Sequence, residues 1–155
     1  MSDLHVPLSG ELTAEGHRLI QRVYYEDTDF SGVVYHARYL HFLERGRTDF
    51  LRCLGVAQGA MAAPGGEEGL MFVVHRMEID FKAPARMDDI LDIVTATEMA
   101  TGARLVLRQQ IRRGTQVLIA AQVTVAILST SGRPRRLPPG LAMQLAGQAR
   151  TAANG

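Results

Sequence analysis

Residues 34–55 read VYHARYLHFLERGRTDFLRCLG, and the fold turns on how this stretch is read. Leu40, Leu43, Phe50, Leu51 and Leu54 recur at helical spacing, with Ala37 and Gly46 on the same side. Arg38, His41, Arg45, Asp49 and Arg52 fall mostly on the other side. The spacing predicts one long helix that begins near Val34 to His36 and ends at Leu54, with Gly55 as its C-terminal cap. Gly46 inside that helix costs about 1 kcal/mol relative to alanine, so another backbone is expected to pack close to it.

Strands surround the helix. Residues 18–26, RLIQRVYYE, hold a β-branched and aromatic cluster and predict a first strand. Residues 56–69, ending PGGEEG, predict a flexible connection. From Met71 to Lys82 the chain alternates: Met71, Val73, Met77, Ile79 and Phe81, with His75, on one face, and Arg76, Glu78, Asp80 and Lys82 on the other. Further strands are predicted over 90–98, over 104–112 and over 116–128, the last apolar enough to be central. RPRRLPPG then terminates the sheet. The expected organisation is a loosely ordered lead over 1–17, one domain over 18–138, and a tail over 139–155 that forms at most a short, fraying helix. Four strands on short connections predict an antiparallel sheet. The lone long helix must bury its stripe against that sheet, giving an α+β fold. Exposed sheet edges predict pairing of two copies.

Composition narrows the function classes. The net charge of +1 argues against a nucleic-acid surface. Lys82 is the only lysine, so arginine carries nearly all the positive charge. The single cysteine, Cys53, cannot form an internal disulfide, and its apolar helical setting predicts a buried, inert thiol. A reducing, cytoplasmic setting is expected, with no leader and no apolar run of the roughly 20 residues that span a bilayer.

The acid-rich loop YYEDTDFSGVVYH, residues 24–36, carries the candidate chemistry. Counted as a calcium loop from Asp27, its twelfth position is Arg38, where a bidentate glutamate is required. His36 and His41 stand five apart, about 140° around a helix, and do not make a metal-binding pair. No metal is expected. Ser31 lacks the first glycine of a nucleophile elbow and is better placed as a loop or capping residue. What remains is a carboxylate acting on a group held at the helix N-terminus, whose first N–H groups lack internal partners. The same acids could simply cap the helix, and the local pattern leaves both uses open.

VYYEDTDFSGVVYHARYLHFLERGRTDFLR (23–52), FVVHRMEIDFKAPARMDD (72–89) and RPRRLP (133–138) together resemble the hotdog-fold acyl-CoA thioesterases. The resemblance is greatest to the Tol–Pal-associated (YbgC-type) branch, related to 4-hydroxybenzoyl-CoA thioesterase. It implies a hotdog fold, in which an antiparallel sheet wraps one long central helix. It implies that Asp29 is the catalytic base or nucleophile, and that His36 offers its backbone N–H to the thioester carbonyl. It leaves Glu44 a structural role, with Glu26 and Asp27 shaping the loop. Substrate contacts are expected from Gly32 and Val34 at the turn into the helix. Tyr25, Tyr35, Tyr39, Phe42 and Phe72 are candidates for the acyl pocket, and Arg76, Lys82, Arg86 and Arg104 for coenzyme A phosphates. Core packing and solvated sheet charges are the competing uses of these residues. Thr101-Gly102-Ala103 stands where the aromatic-acyl branch has a basic cluster, so nucleotide contacts must differ. The implied partner is an acyl-CoA, or an acyl-carrier protein as donor, acted on by a homodimer or homotetramer without a cofactor. A hotdog hydratase, which would use a D-x5-H pair, and a non-catalytic acyl-binding scaffold of the cell envelope are the alternatives.

Overall fold

The computed structural model describes residues 10–55 and 69–154. Its elements are β1 (Glu11–Thr13), β2 (Gly16–Arg22), a 3-10 turn (Tyr25–Asp27), α1 (His36–Cys53), β3 (Leu70–Phe81), β4 (Ile90–Thr101), β5 (Arg104–Arg113), β6 (Gln116–Ser129) and α2 (Pro139–Asn154). The strands form one six-stranded sheet in the order β1-β2-β4-β5-β6-β3, with every neighbouring pair antiparallel. Tight turns make this possible: Gly114, at φ 61°, turns β5 into β6.

Helix α1 packs its apolar stripe on one face of this sheet. Tyr39, Phe42 and Leu43 join Leu91, Ile93, Ile111 and Ile119 in one buried cluster. Phe50, Leu51 and Leu54 join Leu105, Leu107, Val123 and Ile127 in a second. Between the clusters the helix touches the sheet through Gly46. A Cβ there would lie 2.7 Å from Ile93 Cγ2 and 3.2 Å from Gln109 Nε2, so the close approach is to sheet side chains rather than to the expected backbone. Buried Gln109 closes this waist by donating to Leu43 O and Thr95 Oγ1, both at 2.9 Å.

Several expectations need correction. The first strand spans Gly16–Arg22 rather than 18–26, preceded by the short β1 within the stretch expected to be loose. It stops because Asp27 Oδ2 accepts the Tyr24 N–H at 2.8 Å and folds the next residues into the 3-10 turn. Asp49 does not face outward with the polar residues of α1. It is 5% exposed, accepts the Gly10 N–H at 2.7 Å and sits 2.6 Å from His17 Nε2. Leu40, assigned to the apolar stripe, is 42% exposed.

Strand β3 breaks its alternation at a bulge between Val74 and Arg76. The bulge exchanges the faces, so Leu70, Phe72, Met77 and Ile79 pack on the core while Met71 and Val73 turn to the opposite side. β6 is an inner strand, but β4 and β5 hold the middle of the sheet. The C-terminal segment is more than a tail: Leu137, Leu141 and Leu145 are buried in the second cluster. The 56–68 part of the connection expected to be flexible lies outside the described residues.

Candidate active site

The loop between the 3-10 turn and α1 is tied down at several backbone points. Val34 is buried, and its N–H donates to Ala85 O at 2.8 Å. Val33 bridges to Arg86, and Thr28 to Val34. Asp29 N–H donates to Val33 O at 2.9 Å, and Gly32 N–H returns to Asp29 O at 3.0 Å. This small ring needs Gly32 at φ 86°, in the left-handed region, where an added Cβ would meet nothing within 4 Å.

The three acids of the loop separate in space. Asp27 turns inward at 4% exposure and holds Tyr24 N–H. Its Oδ1 lies 3.3 Å from Arg38 Nε in the first turn of α1, while Arg38 also donates to Glu26 O. Asp27 O accepts the Tyr35 N–H at 2.9 Å. These contacts latch the loop to the helix start. Asp29 faces away from that latch. Its Oδ1 accepts the Ser31 N–H at 2.9 Å and the Ser31 hydroxyl in a very short contact. No close hydrogen bond to its Oδ2 is made among the described residues, although the Val33 N–H also acts on the carboxylate. The Ser31 hydroxyl, helped by backbone N–H groups and by nearby His36, holds the Asp29 carboxyl below its ordinary pKa. Asp29 is therefore ionised at neutral pH.

Helix α1 begins at His36 after Tyr35, which has extended backbone angles and makes no side-chain cap. Arg38 N–H bonds back to Tyr35 O at 2.8 Å. The His36 and Ala37 N–H groups have no partner among the described residues, so the positive end of the helix is open. The His36 ring packs on Tyr35, with centroids 4.6 Å apart. The loop thus brings an ionised carboxylate close to a set of unpaired donors. Such a pair can activate a nucleophile and stabilise an oxyanion.

The other expected contacts are dispersed. Tyr25 stands exposed beside the loop, as does Phe30, an apolar residue in a polar stretch that sequence reasoning passed over. Tyr39 is 3% exposed and accepts the Ala85 N–H on its hydroxyl at 2.9 Å, so its ring belongs to the core. Phe42 is fully buried. Phe72 lines a cavity with Glu44, Arg47 and Leu51, in the middle and second half of α1 rather than at its start. Arg76 pairs with Glu78 on the outer sheet face at 2.5 Å, and exposed Arg104 sits opposite Ala126. The structure does not bring Phe72, Arg76 or Arg104 to Asp29. Lys82 and Arg86 follow β3, and Arg86 adjoins the loop through Val33. Arg38, Ala85 and Arg86 were missed as loop supports. The Ala83-Pro84 break was the available signal, because a strand ending there leaves backbone groups for a neighbour.

Among the described residues, His17, Asp49 and Cys53 form a group whose potential ligand atoms lie within 4.8 Å of one another. Asp49 Oδ2 already serves the Gly10 N–H and His17 Nε2, so hydrogen bonding accounts for the group. Cys53 is half-buried and burial pushes its thiol pKa up, against reactivity.

Residues 23–145 match the thioesterase-like superfamily. The acyl-CoA thioesterase YbgC of Haemophilus influenzae is 47% identical over 105 residues, covering 68% of this chain and 75% of that protein. The acyl-CoA thioester hydrolase YbgC of Escherichia coli O157:H7 is 42% identical over 122 residues, covering 77% and 88%. The crystal structure of a probable thioesterase from Bartonella henselae superposes with a TM-score of 0.75 at 48% identity, over 79% of this chain and 98% of that one.

Proposed function

The chain belongs to the thioesterase-like superfamily, and from that premise we propose that it hydrolyses acyl-CoA thioesters to a free acid and coenzyme A. The hotdog fold sets the frame. The observation that carries the reading is the Asp29 carboxylate, fixed through Oδ1 by Ser31, just upstream of the unpaired N–H groups of α1.

The thioester carbonyl oxygen docks on the His36 and Ala37 N–H groups. Asp29 Oδ2 then works in one of two ways. As a base it takes a proton from water while the water oxygen bonds to the carbonyl carbon. As a nucleophile it forms a mixed anhydride that water cleaves afterwards. In either case negative charge collects on the carbonyl oxygen, where fixed N–H dipoles stabilise it by several kcal/mol or about that. The C–S bond then breaks and coenzyme A leaves as the thiolate, which needs no strong acid; this gives the free acid in the base mode and the mixed anhydride, cleaved next by water, in the nucleophile mode. The Asp27–Arg38 contact keeps the carboxylate loop and the helix end in register.

The test is free-thiol release from a panel of acyl-CoA and acyl-carrier-protein thioesters. Asp29→Asn is expected to lower turnover by about a hundredfold to a thousandfold, with KM little changed. Unchanged turnover in that variant would overturn the mechanism. In single-turnover hydrolysis in 18O-water, label in Asp29 identifies the nucleophile route, with water attacking the Asp29 carbonyl carbon of the anhydride. A homo-oligomer belongs to the same reading. β3 is an edge strand of 12 residues, and pairing with a second copy would cover its outer backbone row, which sedimentation would detect.

A further inference from the structure

A cavity of about 150 Å³ opens between α1 and the sheet, away from the Asp29 loop. Its floor is apolar, made by Leu51, Leu105, Leu107 and Val125, and Phe72 and Val74 stand on its β3 side. One wall is Arg47, only 9% exposed. Among the described residues its guanidinium makes a single hydrogen bond, to the neutral Gln109 Oε1 at 3.1 Å. No carboxylate lies within 4 Å of it among the described residues. Glu44 stands at the exposed rim, accepts the Thr48 hydroxyl at 2.9 Å and acts on Arg47 only at longer range. Burial pulls the Arg47 pKa down, against the opposing charge of Glu44. A buried guanidinium that meets one neutral acceptor among the described residues has donors to spare, and an anion would satisfy them.

We propose that this cavity recognises a carboxylate at the end of an apolar chain, with the chain on the leucine floor and the carboxylate on Arg47. A void of this size accepts an apolar body about as large as benzene, so a six-carbon segment fits inside and a longer chain continues through the mouth. A planar carboxylate matches the guanidinium fork in charge and geometry. Two sources can supply it. One is a free carboxylic acid, the product of thioester hydrolysis. The other is the far end of the acyl group while its thioester sits at the start of α1, a version that rests on the hydrolase reading above. His36 and Arg47 are 11 residues apart in α1. That places them about 20° apart around the helix and about 16 Å along it, a span of roughly a dozen methylene groups.

The test titrates the full chain with sodium hexanoate, using 1-hexanol as the neutral control and NMR shifts of the cavity residues as readout. Wild type is expected to bind hexanoate more tightly than hexanol. Arg47→Met, which keeps the side chain's length, should lose about tenfold in hexanoate affinity and keep hexanol. Val74→Trp at the exposed rim should block both ligands while leaving the core intact. Absence of hexanoate binding to wild type, or equal hexanoate affinity in Arg47→Met, would overturn the proposal. So would an Arg47→Met effect confined to the sedimentation coefficient, which would make the cavity a contact between copies. Comparing dodecanedioyl-CoA with dodecanoyl-CoA then separates the sources. A wild-type preference in kcat/KM for the dicarboxylic thioester, lost in Arg47→Met, assigns the carboxylate to the acyl terminus. Equal rates, with hexanoate binding retained, assign it to the free acid. Absence of thiol release from both thioesters would overturn the hydrolase reading alone and leave the hexanoate result standing.

Discussion

Ser31 acts on the candidate catalyst through one atom. Its hydroxyl and N–H both bond to Asp29 Oδ1, and the hydroxyl is the largest cause of the lowered Asp29 pKa. In the proposed mechanism the ionised form is the active one, so the acid limb of kcat/KM against pH should lie below the usual carboxylate range. Ser31→Ala should move that limb to higher pH while leaving the plateau above it nearly level, and a pH–rate profile of both proteins checks this. His36 permits a separate test of the backbone. It is the first helical residue, where proline is well tolerated, and Tyr35 before it has φ −62° and ψ 132°, which proline requires. His36→Pro should therefore fold normally yet lower kcat by about a hundredfold, because it deletes one of the two proposed oxyanion donors. His36→Ala, which keeps the N–H, should cost much less. Equal losses in the two variants would move the role to the imidazole ring.

Within α1, Gly46 shows how an element is shaped by what it packs against. Alanine would gain helix propensity of about 1 kcal/mol at that site. Its Cβ, however, would press on the fully buried Ile93 at 2.7 Å and on Thr95 Oγ1 at 3.1 Å. Gly46→Ala is expected to destabilise the protein by about 1–2 kcal/mol net, read from urea unfolding, since overpacking outweighs propensity. Strand β3 carries the complementary lesson. Its residue types predicted a strand over nearly the right span, but the bulge at His75 is invisible to an alternation count. One extra residue sends Met71 and Val73 to the face opposite Met77 and Ile79. Only pairing with β6 reveals it.

Across the molecule, the buried His17–Asp49 contact joins β2 to α1 over 32 residues of sequence, and Gly10 N–H completes it. Burial disfavours the His17 imidazolium more than Asp49 favours it, so the folded-state pKa is lowered. The unfolded chain therefore takes up this proton first. Its contribution to stability is full above about pH 6.5 and is lost as the pH falls from there through the lower folded value. Melting temperatures of wild type and His17→Gln, compared from pH 7.5 to 5.5, should show the steeper fall in wild type. Parallel curves would mean that His17 titrates alike in both states.

The sequence by itself determined the order of elements, the long helix, the antiparallel sheet and the family motif that singles out Asp29 and the start of α1. These are local properties: periodicity, turn residues and a contiguous run of 30 residues from Val23 to Arg52. Tertiary structure decided which polar groups turn inward, as Asp27, Asp49 and Arg47 do, because burial depends on partners far along the chain. It also separated the expected substrate residues. Tyr39 and Phe42 went to the core, and Phe72, Arg76 and Arg104 went far along the sheet or to its outer face. Residue type is the same in a core, on a sheet face or in a pocket. Only the packing of one element against another assigns the place.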